Sequence, residues 1–218
     1  MIGAYDNEYL KKTLYTGIIS DVLDQHGYKN QAIGGEIFPL MENQVIFGPA
    51  FTSIGTEVYS MPESPLTAQC KVVDQLGEGE IYVLVTRGNY NCAVFGELFA
   101  TAVRARKGAG VLLDGWARDI KALKEMEFPL FYRGNNPRTS KGRCEINECQ
   151  IPVTMEGVMI HPGDIIFGDV DGIVIIPKDI AEDVLRESLE TIEKENRVRG
   201  MLGSGISLQQ AYSEVGAI

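Results

Sequence analysis

The chain has 218 residues, 44% hydrophobic and 23% charged, with a single Trp, enough to bury one sizeable core or two closely joined ones. A formal net charge of -10 and a pI of about 4.8, with no run of Lys or Arg, argue against nucleic acid or an anionic membrane surface as a partner through bulk electrostatics. Small molecules and proteins remain as partners.

No uninterrupted apolar stretch of about 18 residues occurs, and the N-terminus lacks a basic region followed by an apolar run, so the expectation is a soluble, cytoplasmic protein. Cys70, Cys92, Cys144 and Cys149 show no CxxC spacing, and no His stands near the closer pair to complete a zinc site. They read as reduced packing residues.

In chain order, "TGIISDVLDQHG" predicts a helix with Thr16 as cap, an apolar face of Ile18, Ile19, Val22 and Leu23, and Gly27 at its end. "NQVIFGPAFTSIGT" reads as a strand entered through a turn at Gly48 and Pro49, and "SPLTAQCKVVDQL" as a helix. The apolar run "IYVLVT" (81–86), the amphipathic "GELFATAVRARKG" (96–108) and the apolar "GVLLD" give strand, helix, strand. Continuous apolar strands joined by a helix imply a parallel pair with its crossover on one face. "RDIKALKEM" adds a helix and "FPLFYRG" a short strand.

From Cys149 to Pro177 the strands are broken every few residues by Gly, Pro or Asp, and "DVDG" signals a hairpin turn, so this third reads as antiparallel. Residues 178–202 form a long charged helix, with Ile180, Val184, Leu189 and Ile192 near helical spacing; such a helix needs another surface to pack on. With no repeat and no linker, residues 1–218 read as one compact α/β unit.

Several motifs have ordinary explanations. The glycines of "GEGEIYV" and "GAGVLLDG" precede strands, whereas a nucleotide cradle follows a strand and opens a helix. His26 and His161, the two histidines, sit at a helix end and in the turn "HPGD". "DVDG" lacks the remaining ligand spacing of a calcium loop.

"GVLLDGWARDI" is harder to dismiss, because it sets Asp114, Arg118 and Asp119 beside a buried strand, where charges are costly unless paired, coordinated or facing a cleft. The stretch is a structural ion pair or a site. In "FGELFATA", Gly96 and Glu97 stand where a helix begins, so the free first-turn N–H groups of Leu98 and Phe99 can receive a carboxylate. Arg118 and Asp119 follow the next parallel strand, and parallel α/β sheets bind ligands at the carboxyl ends of their strands. Taken singly, Glu97 is an ordinary first-turn acid and Asp119 an ordinary cap. Together they offer two carboxylates and a guanidinium around an anion-binding helix end, which suits a hard cation and a carboxylate-bearing substrate.

"GELFATAVRARKGAGVLLDGWARDI" resembles the signature of the RraA-like family, which includes the 4-hydroxy-4-methyl-2-oxoglutarate aldolases. The likeness extends through "ISDVLDQHG", "GPAFT", "PVTMEGVMIHPGDIIFGDVDGIVIIP" and "EKENRVRGMLGSG". It implies a swivelling β/β/α domain with N-terminal helices and a long C-terminal helix, about 178–202, that packs on a neighbouring subunit of a trimer or hexamer. It also implies a divalent metal, magnesium or manganese, held by Asp119 and waters. Arg118 would grip the pyruvate-like part of the substrate and Glu97 a metal-bound water, while the amides of Leu98 and Phe99 would bind the pyruvyl carboxylate. Lys141, in "YRGNNPRTSKGR", matches a further substrate-binding lysine. A tail glutamate, Glu195 or, two residues earlier, Glu193, would complete a neighbour's site.

The activity this resemblance implies is that of a class II aldolase or decarboxylase, which releases pyruvate from 4-hydroxy-2-keto acids or oxaloacetate by stabilising an enolate, without a Schiff-base lysine. The alternative is a non-catalytic regulator that binds a protein such as a ribonuclease. Trp116 stands where the family commonly has a smaller residue, so it either narrows the pocket or packs beneath it.

Overall fold

A computed structural model describes residues 5–87 and 91–216. Two helices, α1 (Asn7–Thr13) and α2 (Thr16–Gln25), precede the short strands β1 (Ala32–Ile33) and β2 (Phe38–Pro39) and the long strand β3 (Ile46–Glu57). The middle of the chain runs α3 (Thr67–Val73), β4 (Ile81–Val85), β5 (Ala93–Phe95), α4 (Glu97–Ala105), β6 (Gly110–Ala117), α5 (Ile120–Glu125) and β7 (Leu130–Asn135). Next come β8 (Cys144–Cys149), the hairpin strands β9 (Val153–Met155) and β10 (Val158–Ile160), a second pair, β11 (Ile165–Asp169) and β12 (Gly172–Ile176), and the helices α6 (Ala181–Gly203) and α7 (Leu208–Val215).

The main sheet has the order β1-β12-β11-β3-β4-β6-β7-β2, with β5 beside β6 and β8 beside β3. Strands β3, β4, β6 and β7 are parallel neighbours, as the uninterrupted apolar runs predicted, and β11, β12 and β1 continue the sheet antiparallel. The apolar runs are continuous because both faces are covered. Tyr82, Leu84, Val111 and Leu113 enter one core beneath α3, α4 and α5, while Ile81, Val83, Val85 and Leu112 enter another shared with β9 and β10.

Strand β3 joins the two parts. Ile46–Pro49 pair antiparallel with β11, and Ala50–Ile54 pair parallel with β4. Gly48 and Pro49 therefore lie inside the strand rather than in a turn before it. Proline is tolerated where β3 exchanges one partner for the next, and Gly48 is required because a Cβ there would collide with the Gly79 carbonyl oxygen.

The hairpin expected at "DVDG" is present, with Asp169 opposite Gly172. It has a second role: Asp169 accepts from the Thr16 N–H at 2.8 Å and from the Thr16 hydroxyl at 2.7 Å. Thr16 is thus the first residue of α2, not its cap. The cap position is Tyr15, which makes no side-chain cap bond, and a carboxylate from the distant hairpin satisfies the buried Thr16 amide instead.

The long helix begins with a short 3-10 turn over Lys178–Ile180 and continues as α6. Val184, Leu185 and Ile192 pack with Ile18, Ile19, Val22, Phe167 and Ile176, so its apolar stripe finds its surface within its own chain. Among the described residues, no helix is long and apolar enough to cross a membrane. Cys70, Cys92, Cys144 and Cys149 are all free thiols.

Candidate functional site

The charges in "GVLLDGWARDI" serve two separate purposes. Asp114 is buried on β6 and paired with Arg133 of β7, whose guanidinium also holds Glu36 and Glu156. Buried charge is tolerated there because it is paired and hydrogen-bonded, and the cluster ties β6 and β7 to two surrounding loops. This part of the motif is structural.

Arg118 and Asp119 lie past the end of β6 and face a cavity of about 410 Å³. The Arg118 N–H donates to the Phe95 carbonyl at 3.0 Å, which aligns the end of β6 with the end of β5. Asp119 then takes a left-handed conformation, φ 59° and ψ 34°, and its side chain makes no cap bond to α5. Its carboxylate turns instead toward the start of α4, where Oδ2 accepts from the Glu97 N–H at 3.3 Å and lies 3.6 Å from the Arg118 Nε. A left-handed backbone at a non-glycine residue costs free energy, so the orientation of this carboxylate is built in.

Gly96 makes the approach possible. A Cβ there would stand 2.6 Å from the Asp119 Oδ2 and 3.1 Å from the Arg118 Cγ. Immediately beyond it, Leu98 and Phe99 line the cavity from the first turn of α4, where backbone N–H groups lack intrahelical acceptors. First-turn amides, a guanidinium and a carboxylate thus converge on one space. Arg118 and Asp119 are each close to half exposed, which makes their mutual attraction a small contribution to stability.

Other expected site residues stand elsewhere. The Glu97 carboxylate accepts from the Thr101 hydroxyl at 2.9 Å and is not among the cavity walls, although its N–H holds Asp119. Lys141 follows Thr139 and Ser140, which do line the cavity, but is not itself a wall. Nor is Trp116, whose ring packs over Gly134 of β7. Glu195 accepts from the Tyr15 hydroxyl and from Arg199 of its own chain, and burial together with that carboxylate pushes the Tyr15 phenol up. Glu193 lies on a separate surface with Glu190, Lys194 and Arg197.

The histidines keep local partners, Glu187 for His26 at 2.8 Å and Asp164 for His161 at 3.4 Å. Sequence reasoning missed Cys70, Asp74, Thr139 and Ser140 as walls. Thr139 arrives through a bridge to Ala93 on β5, a strand of three residues too short to signal itself.

Residues 16–175 match the RraA-like family, described as Aldolase/RraA. A Halalkalibacterium halodurans protein provisionally named as a 4-hydroxy-4-methyl-2-oxoglutarate aldolase is 31% identical over 203 residues, 93% of this chain and 91% of its own. Protein DlpA of Legionella pneumophila is 30% identical over 199 residues; the match takes in 90% of this chain but 31% of that longer relative. Among solved structures, an uncharacterized protein from Pseudomonas syringae superposes with a TM-score of 0.83 at 27% identity, covering 96% of this chain and 95% of the other. Streptomyces coelicolor RraAS2, described as an unusual member of the RNase ES inhibitor RraA family, superposes with a TM-score of 0.77 at 24% identity, covering 89% and 97%, and speaks to the fold. With the family matched over most of its length and the swivelling α/β architecture shared, the chain belongs to the RraA-like, Aldolase/RraA, family.

Proposed function

We propose that the protein is a divalent-metal-dependent carbon–carbon lyase that releases pyruvate from 4-hydroxy-2-keto acids or from oxaloacetate. One observation carries this reading: Asp119 is held left-handed, makes no cap bond to its own helix α5, and has its carboxylate beside Arg118 and the start of α4 at one cavity. The aldolase names of relatives at 31% and 36% identity agree with it.

The donor set suits a hard cation. Among the described residues no three His, Cys, Asp or Glu side chains converge, so a metal at Asp119 would keep mostly water and substrate oxygen, as magnesium or manganese does. Such an ion would supply Lewis-acid stabilisation of the negative charge that develops on the pyruvyl oxygens.

The chain's own groups handle the rest. The free N–H groups of Leu98 and Phe99 receive the substrate carboxylate, and the planar Arg118 fork grips the keto oxygen. The C3–C4 bond breaks, the C4 hydroxyl passes its proton to solvent water at this half-exposed site, and C4 leaves as an aldehyde or ketone. The electron pair enters the pyruvate enolate, which takes a proton at C3; from oxaloacetate, carbon dioxide leaves instead. Arg118 stabilises the enolate oxygen, so no covalent bond to a lysine is needed.

We extend the reading to assembly: a homo-oligomer, trimer or hexamer, in which the Tyr15–Glu195–Arg199 group of one subunit faces the site of the next. The test is pyruvate release from a panel of 4-hydroxy-2-keto acids and oxaloacetate, with and without EDTA. Release that EDTA abolishes is expected. No release from any substrate would overturn the enzyme reading and favour the protein-binding regulator.

A further inference from the structure

One face of α3 lines the cavity. Leu66, Cys70, Val73 and Asp74 stand at helical spacing, and all four are walls. The helix itself begins at Thr67, so Leu66 holds the cap position, where its carbonyl accepts from the Cys70 N–H at 2.9 Å. Helices favour Ser, Thr, Asp or Asn at that position, because their side chains can receive a first-turn amide. Leucine has no such acceptor, and no side-chain cap bond is made.

The backbone is unfavourable as well. Leu66 takes φ 70° and ψ -8°, in the left-handed region that glycine and asparagine adopt readily and leucine does not. Two local preferences are thus broken at one residue, a pattern found where function sets the side chain. Core packing does not account for it: Leu66 is half-buried, and among the described residues the three apolar clusters of the core do not include it. Docking of the helix has another anchor, since the buried Gln69 side chain donates to the Val94 carbonyl of β5 at 2.7 Å.

In the proposed mechanism the polar end of the cavity, Arg118, Asp119 and the first turn of α4, takes the pyruvyl half of the substrate, and C4 with its substituents lies along the rest of the wall. We infer that Leu66 is a specificity-determining residue of this site: its side chain covers the alkyl group at C4 and distinguishes a C4-methyl 2-keto acid from its unmethylated counterpart. The inference rests on the lyase reading and deepens it. A methyl group placed there leaves water for an apolar contact.

Two measurements test it. In the first, cleavage of 4-hydroxy-4-methyl-2-oxoglutarate and of 4-hydroxy-2-oxoglutarate is compared in wild type, Leu66→Ala and Leu66→Gly. Both acids carry the same second carboxylate, so the comparison isolates the alkyl contact. Each variant should lower the kcat/KM ratio of the methylated to the unmethylated acid by about tenfold, the scale of one methyl group in an apolar pocket. Glycine fits the left-handed backbone and alanine does not, so Leu66→Gly should unfold at a higher urea concentration than Leu66→Ala. The reverse order would show an unstrained backbone at residue 66 and remove the ground for the assignment.

The second measurement does not depend on turnover. The acids 4-methyl-2-oxoglutarate and 2-oxoglutarate lack the C4 hydroxyl, so the aldol cleavage is closed to them and binding alone is read. With magnesium present, calorimetric titration should give the wild type a severalfold lower Kd for the methylated acid, and Leu66→Gly no difference between the two. If neither hydroxy acid is cleaved but Leu66→Gly removes this difference in binding, the lyase reading fails and the Leu66 contact stands. Cleavage with an unchanged ratio in both variants leaves the lyase reading intact and overturns the contact. Equal binding of the two acids by the wild type, or binding of neither, overturns it as well.

Discussion

At Gly96 a single hydrogen in place of a methyl group lets the Asp119 carboxylate reach the Glu97 N–H. Gly96→Ala should therefore lower kcat/KM at least about tenfold, since small misplacements at a site carry costs of that order or more. The far-UV circular dichroism should stay unchanged; normal kinetics would show that the carboxylate position is unimportant. Arg118→Lys keeps the charge but loses the fork, and should lower kcat/KM roughly a hundredfold, the scale of losing one transition-state donor. Near-normal kinetics would return Arg118 to an ordinary surface role. These two residues and the amides of Leu98 and Phe99 were legible in the sequence because strand, helix, strand spacing places them at the same end of a parallel sheet. Trp116 was not, because β6 shifts register against β7 between Leu113 and Trp116, so counting alternation along the strand does not say which way the ring turns. Asp114 and Arg118, four residues apart in one motif, separate into a buried ion pair and a cavity wall only once Arg133 is seen beside the first.

Elements were legible in proportion to their periodicity. Strands β4 and β6 and helix α4 carry long one-sided or continuous apolar patterns, and all three lie where the pattern put them. Strand β5, three residues long, and α7, a short helix capped by Ser207 after a break at residues 204–206, left no comparable signal. The start of α2 is set by a contact 153 positions away, which no local pattern contains. Asp169→Ala removes the acceptor for both the amide and the hydroxyl of Thr16, and should cost about 1–2 kcal/mol, in the range of a lost helix cap. Urea unfolding measures it, and Asp169→Asn, which keeps an acceptor, should cost less. An unchanged midpoint for Asp169→Ala would show that water replaces the carboxylate at no cost.

For the whole molecule, burial holds several weakly acidic groups neutral. The Cys144 thiol is pushed from its ordinary 9.0 up to about 12, and the Cys92 thiol and Tyr82 phenol are also pushed up, in each case chiefly by burial. Between those ordinary and raised values the native chain binds more protons than the unfolded one, so stability is full below about pH 9 and falls as pH rises toward 12. The urea midpoint should be lower at about pH 10.5 than at about pH 8; a flat profile would mean that these groups ionise without unfolding. Assembly needs its own experiment, because α6 buries its apolar stripe within its own chain and pairs Glu195 with Tyr15 and Arg199. Asp119→Ala and Glu195→Ala subunits, each inactive alone, should regain activity when refolded together if the site is shared, since some interfaces then unite two intact residues. No recovery in confirmed mixed oligomers would place Glu195 outside its neighbour's site.

Whether Asp119 anchors a catalytic cation beside Arg118 is tested most directly by magnesium titration of pyruvate release in wild-type protein and in Asp119→Ala, with thermal unfolding of both in parallel. The expected result is a saturable magnesium dependence in the wild type, no magnesium-stimulated turnover in Asp119→Ala, and similar melting temperatures, because the Asp119 side chain makes no cap bond to α5, reaches the Glu97 N–H of α4 only at 3.3 Å and is about half exposed. Magnesium-dependent turnover retained in Asp119→Ala would contradict the role given to this carboxylate.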